Sequence, residues 1–198
     1  MTSRHLITIA LASILALPAA AQTRTDSITT PAAANAGDSR PELAAALPQV
    51  RLVGKTRLTV WGFQVYDAKL WTQPGTNADK LTSQPFALEL TYLRAFDSLD
   101  IATRSITEMR RSASIDEVQA KSWVEEMQRV IPNVKAGDRV MGIHRPAKDA
   151  QGSAQFYVNG KLSGEIKDAE FARLFFGIWL SPKTSEPKMR QALLAGVL

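Results

Sequence analysis

Arg57 and Tyr66 are the two residues of this sequence whose side chains are best suited to bind an acidic oxygen. Both lie in the segment VGKTRLTVWGFQVYDAKLW. A guanidinium group donates two parallel hydrogen bonds to a carboxylate, and a phenol hydroxyl can add a third. The pair would therefore suit an organic acid, provided that the fold brings the two side chains together.

Whether they meet depends on a turn at Trp61-Gly62. A two-residue turn there pairs Val60 with Phe63 and, counting outward along both strands, Arg57 with Tyr66. Gly62 accepts a positive φ angle readily. Trp61 fits poorly in a type I′ turn, in which both central residues need a positive φ.

The same register sorts the hairpin into two faces, because side chains alternate along a strand. The apolar face would carry Leu58, Val60, Phe63 and Val65, and the polar face Arg57, Thr59, Gln64 and Tyr66. If Gly62 is instead a bulge in one long strand, Arg57 and Tyr66 lie ~30 Å apart at about 3.3 Å per residue and cannot share a ligand.

The sequence offers little for other kinds of chemistry. It contains no cysteine and two histidines, of which only His144 lies beyond the N-terminal apolar segment. A metal site or a catalytic triad would lack ligands or partners, and we find no Gly-rich phosphate loop and no nucleophile elbow. We therefore predict no metal and no cofactor, leave the catalytic residues unknown, and interpret His144 as an ordinary strand residue.

The N-terminus has the order of segments that a signal peptidase recognises. Arg4 and His5 precede the apolar run Leu6 to Leu17, and small residues follow up to Ala21. The run has about twelve apolar residues, whereas a membrane span needs about 20, so an uncleaved anchor is the weaker alternative. We predict a signal peptide over residues 1–21, cleavage near Ala21, a periplasmic or secreted protein, and no stable membrane anchor after cleavage.

Composition divides the rest of the chain into two parts. Residues 22–47 are rich in Ala, Thr, Ser and Pro, which predicts a flexible leader, and residues 48–198 form one domain with no internal linker. The net charge of +5 is mildly basic and lacks the dense Lys/Arg stripe of nucleic-acid binding proteins. We predict no nucleic-acid partner, and the sequence leaves the oligomeric state open.

Hydrophobic periodicity predicts strands and helices in separate blocks. Strands are indicated over 50–72, 86–92, 139–145 and 154–167, and helices over 99–109, 115–131, 171–180 and 189–194. Ser114 and Glu117 have the spacing of a capping box at the start of the second helix. This block order favours an α+β fold with an antiparallel sheet covered by helices on one face. We expect the stripes of the first two helices to pack against the sheet.

A second hairpin is predicted at Asn159-Gly160, a strong turn signal. We expect a three-residue loop that pairs Val158 with Leu162, since it puts the apolar residues of both strands on one face. Those residues are Phe156, Val158, Leu162 and Ile166.

Four segments in this order resemble the bacterial chalcone isomerase-like family: VGKTRLTVWGFQVYDAKLW, PFALELTYLRAF, FYVNGKLSGEI and FARLFFGIWLSP. The resemblance covers residues 47–196. It implies an open-faced β-sandwich, in which a layer of helices covers a large antiparallel sheet. The wider superfamily is similar to plant chalcone isomerases, which close a flavanone ring, and to non-catalytic relatives that bind fatty acids in the same cleft.

The resemblance also implies site residues. In the fatty-acid-binding relatives an arginine and a tyrosine hold the ligand carboxylate, and here Tyr66 matches the tyrosine and Arg57 the arginine. The spacing between them is shorter than in those relatives, so Arg51 is the alternative arginine. Chalcone isomerases carry a further Tyr and Asn on the first helix after the sheet, whereas residues 98–112 contain neither.

The leading hypothesis is an exported domain that binds a small apolar acid, such as a fatty acid, between sheet and helices. One alternative is an isomerase of chalcone isomerase type acting on a phenolic ligand, with Arg57 stabilising an oxyanion and Tyr66 as a hydrogen-bond donor or acid. Another is a protein-interaction module without a small ligand. A mostly apolar cleft of roughly 300 Å³ or more would separate the first two from the third.

Overall fold

Six antiparallel strands form one sheet in the computed structural model of the chain, which describes residues 40–147 and 152–197. The strands are β1 (Arg51–Val60), β2 (Phe63–Thr72), β3 (Phe86–Tyr92), β4 (Arg139–Arg145), β5 (Ser153–Val158) and β6 (Lys161–Ile166). Their order in the sheet is the same as their order in the chain. The predicted signal peptide lies outside the described residues.

Four helices cover one face of the sheet, and a short one lies on the other face. The helices are α1 (Pro41–Ala46), α2 (Ser98–Met109), α3 (Glu117–Val130), α4 (Ala169–Leu180) and α5 (Pro187–Leu193), with a 3-10 turn over Ala78–Ser83. The predicted α+β class, with an antiparallel sheet covered on one face by helices, is confirmed. Within the described residues no helix is long and apolar enough to cross a membrane.

The helices of the covering layer differ in what they contact. Helix α3 packs against β6, α4 against β4 and β5, and α5 against β1 and β2, whereas α2 packs mainly against α3 and α4. The expectation that both early helices lie on the sheet is therefore confirmed for α3 and wrong for α2. Because α2 rests on other helices, it leaves space above β1 and β2.

The apolar stripes of α2 and α3 are buried along most of their length. Ala102, Ile106 and Met109 are buried in α2, as are Met127 and Val130 in α3. Two apolar residues of these stripes are exposed, Leu99 and Val118, and each lies in the first turn of its helix.

Helix α3 starts later than the capping box predicted. Its N-cap is Asp116, whose Oδ1 accepts a hydrogen bond from the Gln119 backbone N–H at 2.8 Å. The predicted cap at Ser114 is wrong. Asp is as good an N-cap as Ser, and the buried residue Ile115 lies between Ser114 and the helix.

Helix α1 lies inside the segment that we predicted to be a flexible leader. Its Leu43 and the following Leu47 are buried against Trp71 and Met141 on the back of the sheet. The prediction is therefore wrong for residues 40–47. The segment PELAAAL is too short for its apolar period to stand out from an Ala-rich background.

Buried ion pairs hold α1 to the sheet. Glu89 of β3 is buried and accepts two hydrogen bonds from Arg40, at 2.5 and 2.9 Å. Arg139 donates to Glu42 at 2.6 Å. The side chains of Arg40 and Arg139 are themselves largely covered.

The β1–β2 hairpin turns where the sequence predicted, but its register changes within two pairs. Val60 pairs with Phe63, and Trp61 and Gly62 have φ angles of 49° and 83°, which define a type I′ turn. Beyond this turn Val65 is an extra residue, a β-bulge, so that Leu58 pairs with Tyr66 and Arg57 with Asp67. The predicted pairing of Arg57 with Tyr66 is wrong, because the bulge moves Tyr66 to the apolar face.

The β5–β6 hairpin has the same construction. Val158 pairs with Lys161, and Asn159 and Gly160 have φ angles of 50° and 83°. The predicted pairing of Val158 with Leu162 is therefore wrong, and Leu162 is exposed. An Asn-Gly pair closes the two-residue turn without strain, and a bulge at position 163 returns Ile166 to the core.

Candidate functional site

A cleft of ≈ 710 Å³ opens between the β1–β2 hairpin and helices α2, α4 and α5. It occupies the space left because α2 packs on other helices. Its apolar wall includes Leu58, Val60, Phe63, Leu90, Phe96, Ile101, Ile131, Val140, Phe175, Ile178 and Met189. Its polar lining comes from Tyr66 of β2, from Tyr92 and Arg94 at and just beyond the end of β3, and from side chains along α2 and at the start of α5.

Tyr66 is the tyrosine of β2 that the bulge turns into this cleft. Its Oη accepts a hydrogen bond from Trp179 Nε1 at 2.9 Å, and the edge of the Tyr92 ring packs at 6.1 Å between ring centroids. In this bond the Tyr66 oxygen is the acceptor, so the bond does not use the Tyr66 hydroxyl proton. No acceptor among the described residues takes that proton.

Burial raises the pKa of Tyr66 to about 12, against the lowering effect of the Trp179 hydrogen bond. The negative charges of Glu186 and Glu108 raise the pKa further, and the positive charge of Arg104 lowers it. Tyr66 is thus a neutral hydrogen-bond donor at neutral pH. Burial also raises the pKa of Tyr92 strongly.

Glu108 and Arg104 form an ion pair on the α2 side of the cleft. Glu108 is buried, and its Oε1 lies 2.6 Å from Arg104 Nη2. Its Oε2 lies 3.8 Å from Arg111 Nε and has no hydrogen-bond partner among the described residues. Arg104 is 72% exposed and belongs to the lining of the cleft.

The charges around the cleft are mixed. Arg94 and Arg104 are basic, and Asp100, Glu108 and Glu186 are acidic. The Arg94 guanidinium lies 5.2 Å from the centre of the Phe63 ring, a cation–π contact at the mouth. An anionic group would be attracted only close to one of these two guanidinium groups.

Arg57 lies on the opposite face of the hairpin from Tyr66. Its Nε and Nη2 donate to the two carboxylate oxygens of Asp67 at 2.6 and 2.8 Å, and its Nη1 donates to Gln64 at 2.9 Å. The hydrogen bond lowers the pKa of Asp67 and raises the pKa of Arg57. The structure therefore does not bring the two predicted site residues together. Arg51, the alternative, is exposed at the far end of β1 and is also outside the cleft lining.

The sequence profile of the chalcone isomerase-like family matches residues 45–195. The chain belongs to the chalcone isomerase-like family. An uncharacterized protein of Haemophilus influenzae is 27% identical over 143 residues, which are 72% of this chain. The chain spans 66% of that relative, just under two thirds of its length.

A crystal structure of a fatty-acid binding protein of Arabidopsis thaliana has a similar fold, with a TM-score of 0.55 at 10% identity. The match covers 75% of this chain and 88% of the plant protein. The fold that the sequence resemblance implied, an open-faced sandwich of sheet and helices, is confirmed.

Of the polar residues of this chalcone isomerase-like cleft, sequence reasoning found only Tyr66 and missed the rest, among them Arg104, Glu108 and Trp179. Arg104 and Glu108 are spaced i, i+4 on α2, and the signal in the sequence was the position of Glu108 directly before Met109 of the apolar stripe. Trp179 was counted only as an apolar residue of the last long helix, although a buried indole N–H usually finds an acceptor.

His144 of the chalcone isomerase-like domain lies in β4, the strand that the sequence predicted for it, and its side chain is buried. It stacks on Phe86 with the ring centroids 4.7 Å apart, and its Nδ1 lies 3.3 Å from the Gln84 carbonyl oxygen. Burial lowers the pKa of His144. Within residues 40–147 and 152–197 no group of three or more acidic or histidine side chains is placed to hold a metal.

Proposed function

We propose that the protein binds a small apolar carboxylic acid, such as a fatty acid, in the cleft between sheet and helices. The cleft itself carries this proposal, because it is open and lined mostly by apolar side chains. Its volume of ≈ 710 Å³ is well above the roughly 300 Å³ at which ligand pockets begin. A module without a ligand would fill such a space with side chains. The name of the Arabidopsis protein, which is similar in fold, supports the same ligand class.

Tyr66 and Arg104 are the residues that we propose to hold the acid group. Tyr66 offers an unused proton inside the cleft, and Arg104 is the cation whose charge acts on Tyr66. Together they would provide the phenol and guanidinium donors that the family resemblance assigned to Tyr66 and Arg57. The chain of the acid would lie along the apolar wall, near Ile101 and Ile178.

The central experiment compares palmitic acid with hexadecanol, its uncharged analogue, by equilibrium binding. Tyr66→Phe should weaken acid binding about three- to tenfold, the effect of one hydrogen bond. Arg104→Lys should also weaken it, because an ammonium lacks the planar fork. Arg57→Ala is the matched control on the opposite face, and we expect it to leave both affinities unchanged.

Two results would contradict the proposal. If Arg57→Ala abolished acid binding while Tyr66→Phe had no effect, the acid would lie on the outer face, where the resemblance-based assignment of Arg57 would apply. If the wild-type protein bound neither compound at micromolar concentration, the interaction-module hypothesis would replace it.

A variant that fills the cleft tests the location of the chain. Ile101 is half-buried on the α2 wall, so Ile101→Trp should reduce binding of palmitic acid and hexadecanol alike. Mass spectrometry of lipids extracted from the purified protein identifies the natural ligand. Binding that is unaffected by Ile101→Trp would place the chain elsewhere.

The isomerase alternative has less support. It needs Arg57 beside Tyr66 at a developing oxyanion, and the two side chains lie on opposite faces of the hairpin. An absorbance assay with a hydroxychalcone tests it directly. Turnover by the wild-type protein that is lost in Tyr66→Phe would restore the enzyme hypothesis.

A further inference from the structure

The tip of the β1–β2 hairpin exposes a cluster of apolar side chains. Trp61 is 94% exposed, Phe63 61% and Val60 40%. All three belong to the lining at the mouth of the cleft. We call these three residues the apolar tip. Contiguous exposed apolar residues of this size usually mark a surface that contacts something other than water.

The two hairpins of the sheet provide an internal comparison. Both have a type I′ turn and a bulge three residues into the second strand, and their turn residues have nearly the same φ angles. The β5–β6 turn uses Asn159, a residue that tolerates a positive φ. The β1–β2 turn instead holds Trp61 at a φ of 49°, where a bulky side chain is disfavoured. The fold gains nothing visible from this, since the indole is almost wholly exposed.

The hairpin that carries the apolar tip has an excess of basic residues. Between Arg51 and Thr72 it has four basic residues and one acidic residue, Asp67. Of the four, Arg57 lies nearest the tip, whereas Arg51 lies at the far end of β1. Arg94 adds a guanidinium directly over the Phe63 ring, at 5.2 Å. Tryptophan and phenylalanine flanked by Arg and Lys are the composition of surfaces that bind the interface of an anionic bilayer.

We propose that the apolar tip docks onto a lipid bilayer that contains anionic headgroups, with Trp61 and Phe63 in the interfacial layer and Arg94 at the phosphates. A protein partner is the poorer fit, because a stable protein interface buries about 800 Å² on each side, and the tip offers only three apolar side chains. The mouth of the cleft opens at the tip, so a bound acid would pass between bilayer and cleft. This last step rests on the proposed function, whereas docking does not.

Tryptophan fluorescence isolates the docking event. Trp71, Trp123 and Trp179 are buried, at 8%, 3% and 6% exposure, so Trp61 is the tryptophan that changes environment when the tip docks. We expect a blue shift and weaker acrylamide quenching with vesicles of phosphatidylcholine and phosphatidylglycerol. Co-sedimentation should be weaker with pure phosphatidylcholine and should fall with added salt.

Trp61→Asn is the decisive variant, because it gives the β1–β2 turn the residue that the β5–β6 turn already has. We expect vesicle affinity to fall about tenfold or more, while the midpoint of thermal unfolding stays the same or rises. Leu162→Ser is the matched control, since it removes an exposed leucine (59%) beside the other turn. It should leave vesicle binding unchanged.

Three outcomes would overturn the docking proposal: no vesicle binding by the wild-type protein, undiminished binding by Trp61→Asn, or an equal loss in Leu162→Ser. Self-association that Trp61→Asn abolishes, without vesicle binding, would assign the tip to a second copy of the chain and would also overturn it. Palmitic acid binding in the absence of vesicles separates the two proposals. If the wild-type protein docks to vesicles but does not bind palmitic acid, only the proposed function is refuted. If it binds palmitic acid but does not dock to vesicles, only the docking proposal is refuted.

Discussion

Val65 has no partner on β1, because Thr59 pairs with Gln64 and Leu58 pairs with Tyr66. Since side chains alternate along a strand, one unpaired residue reverses the face of each residue that follows it. Tyr66 therefore enters the cleft, so the phenol of this site depends on an irregularity of one residue.

The buried phenol of Tyr66 gives a first prediction at the residue scale. Tyrosine in an unfolded chain ionises near pH 10. Burial raises the pKa of Tyr66 to about 12 and also raises the pKa of Tyr92. The stabilising contribution is complete below pH 10 and is lost as pH rises toward 12, at about 1.4 kcal/mol per pH unit for each group. In urea unfolding between pH 9 and pH 11, the free energy of unfolding should fall less steeply with pH for Tyr66→Phe than for the wild-type protein. An equal pH dependence of the two proteins would contradict this prediction.

Glu108 gives a second prediction at this scale. Its negative charge raises the pKa of Tyr66 and would repel a carboxylate bound beside it. Glu108→Gln should strengthen palmitic acid binding by roughly 1 kcal/mol, about fivefold. Hexadecanol, which carries no charge, should bind with unchanged affinity. A weaker affinity for the acid would mean that Glu108 positions Arg104 more than it repels the ligand.

At the scale of elements, the close contact between β1 and α5 fixes the front wall of the cleft. A Cβ atom added at Gly54 would lie 2.0 Å from the Leu193 carbonyl oxygen and 2.5 Å from that of Ala192. The backbone N–H of Gly196 also donates to the Val53 carbonyl oxygen at 2.9 Å. The C-terminal segment thus lies directly on the first strand.

Gly54→Ala should separate these two elements. Because the obstructing atoms are backbone, we expect the free energy of unfolding to fall by about 3 kcal/mol, the upper end of the range for overpacking. Palmitic acid affinity should fall too, since α5 carries Met189 of the cleft wall. Lys55→Ala, a substitution of the exposed residue that follows Gly54 in β1, is the matched control and should leave the free energy of unfolding nearly unchanged. Unchanged stability of Gly54→Ala would show that α5 shifts easily.

The contribution of α1 can be tested by shortening the chain. A protein that begins at Val50 loses the buried Leu43 and Leu47 and the Arg40 partner of Glu89. Breaking a buried ion pair typically costs about 3–5 kcal/mol. Because Arg139 Nε remains 3.9 Å from Glu89, we expect urea unfolding to show a loss at the lower end of that range. A protein that begins at Ser39 should match one that begins at Gln22. Equal stability of all three would mean that residues 40–47 contribute nothing.

For the whole molecule, the sequence predicted the class of fold because strand and helix periods are local properties. Strands β3 and β4 were predicted at their observed bounds. The register beyond each turn could not be predicted, since both bulges depend on packing against helices far away in sequence. Gly164, for example, leaves room for Val130 of α3, which a Cβ atom would approach to 2.7 Å. Arg57 was assigned to the site on a register without a bulge.

The predicted export of the protein also belongs to this scale, and we propose that residues 1–21 direct it. Expression of the full chain in a Gram-negative host should give a periplasmic protein whose N-terminal residue is Gln22, as determined by intact mass. Replacement of the apolar Leu15 by Arg should keep the protein in the cytoplasm, because a charge interrupts the apolar run. A full-length protein in the cytoplasm would contradict the prediction.

The contact between the C-terminal segment and β1 also bears on the time at which the cleft forms during synthesis. Each strand of the sheet pairs with the strand made just before it, so most of the sheet can assemble as the chain is elongated. Helix α5, which forms a wall of the cleft, cannot take its position on β1 until residues 187–197 have been made. A chain arrested before that point would carry a complete sheet with an unfinished binding site, because the cleft would lack the wall that Met189 contributes.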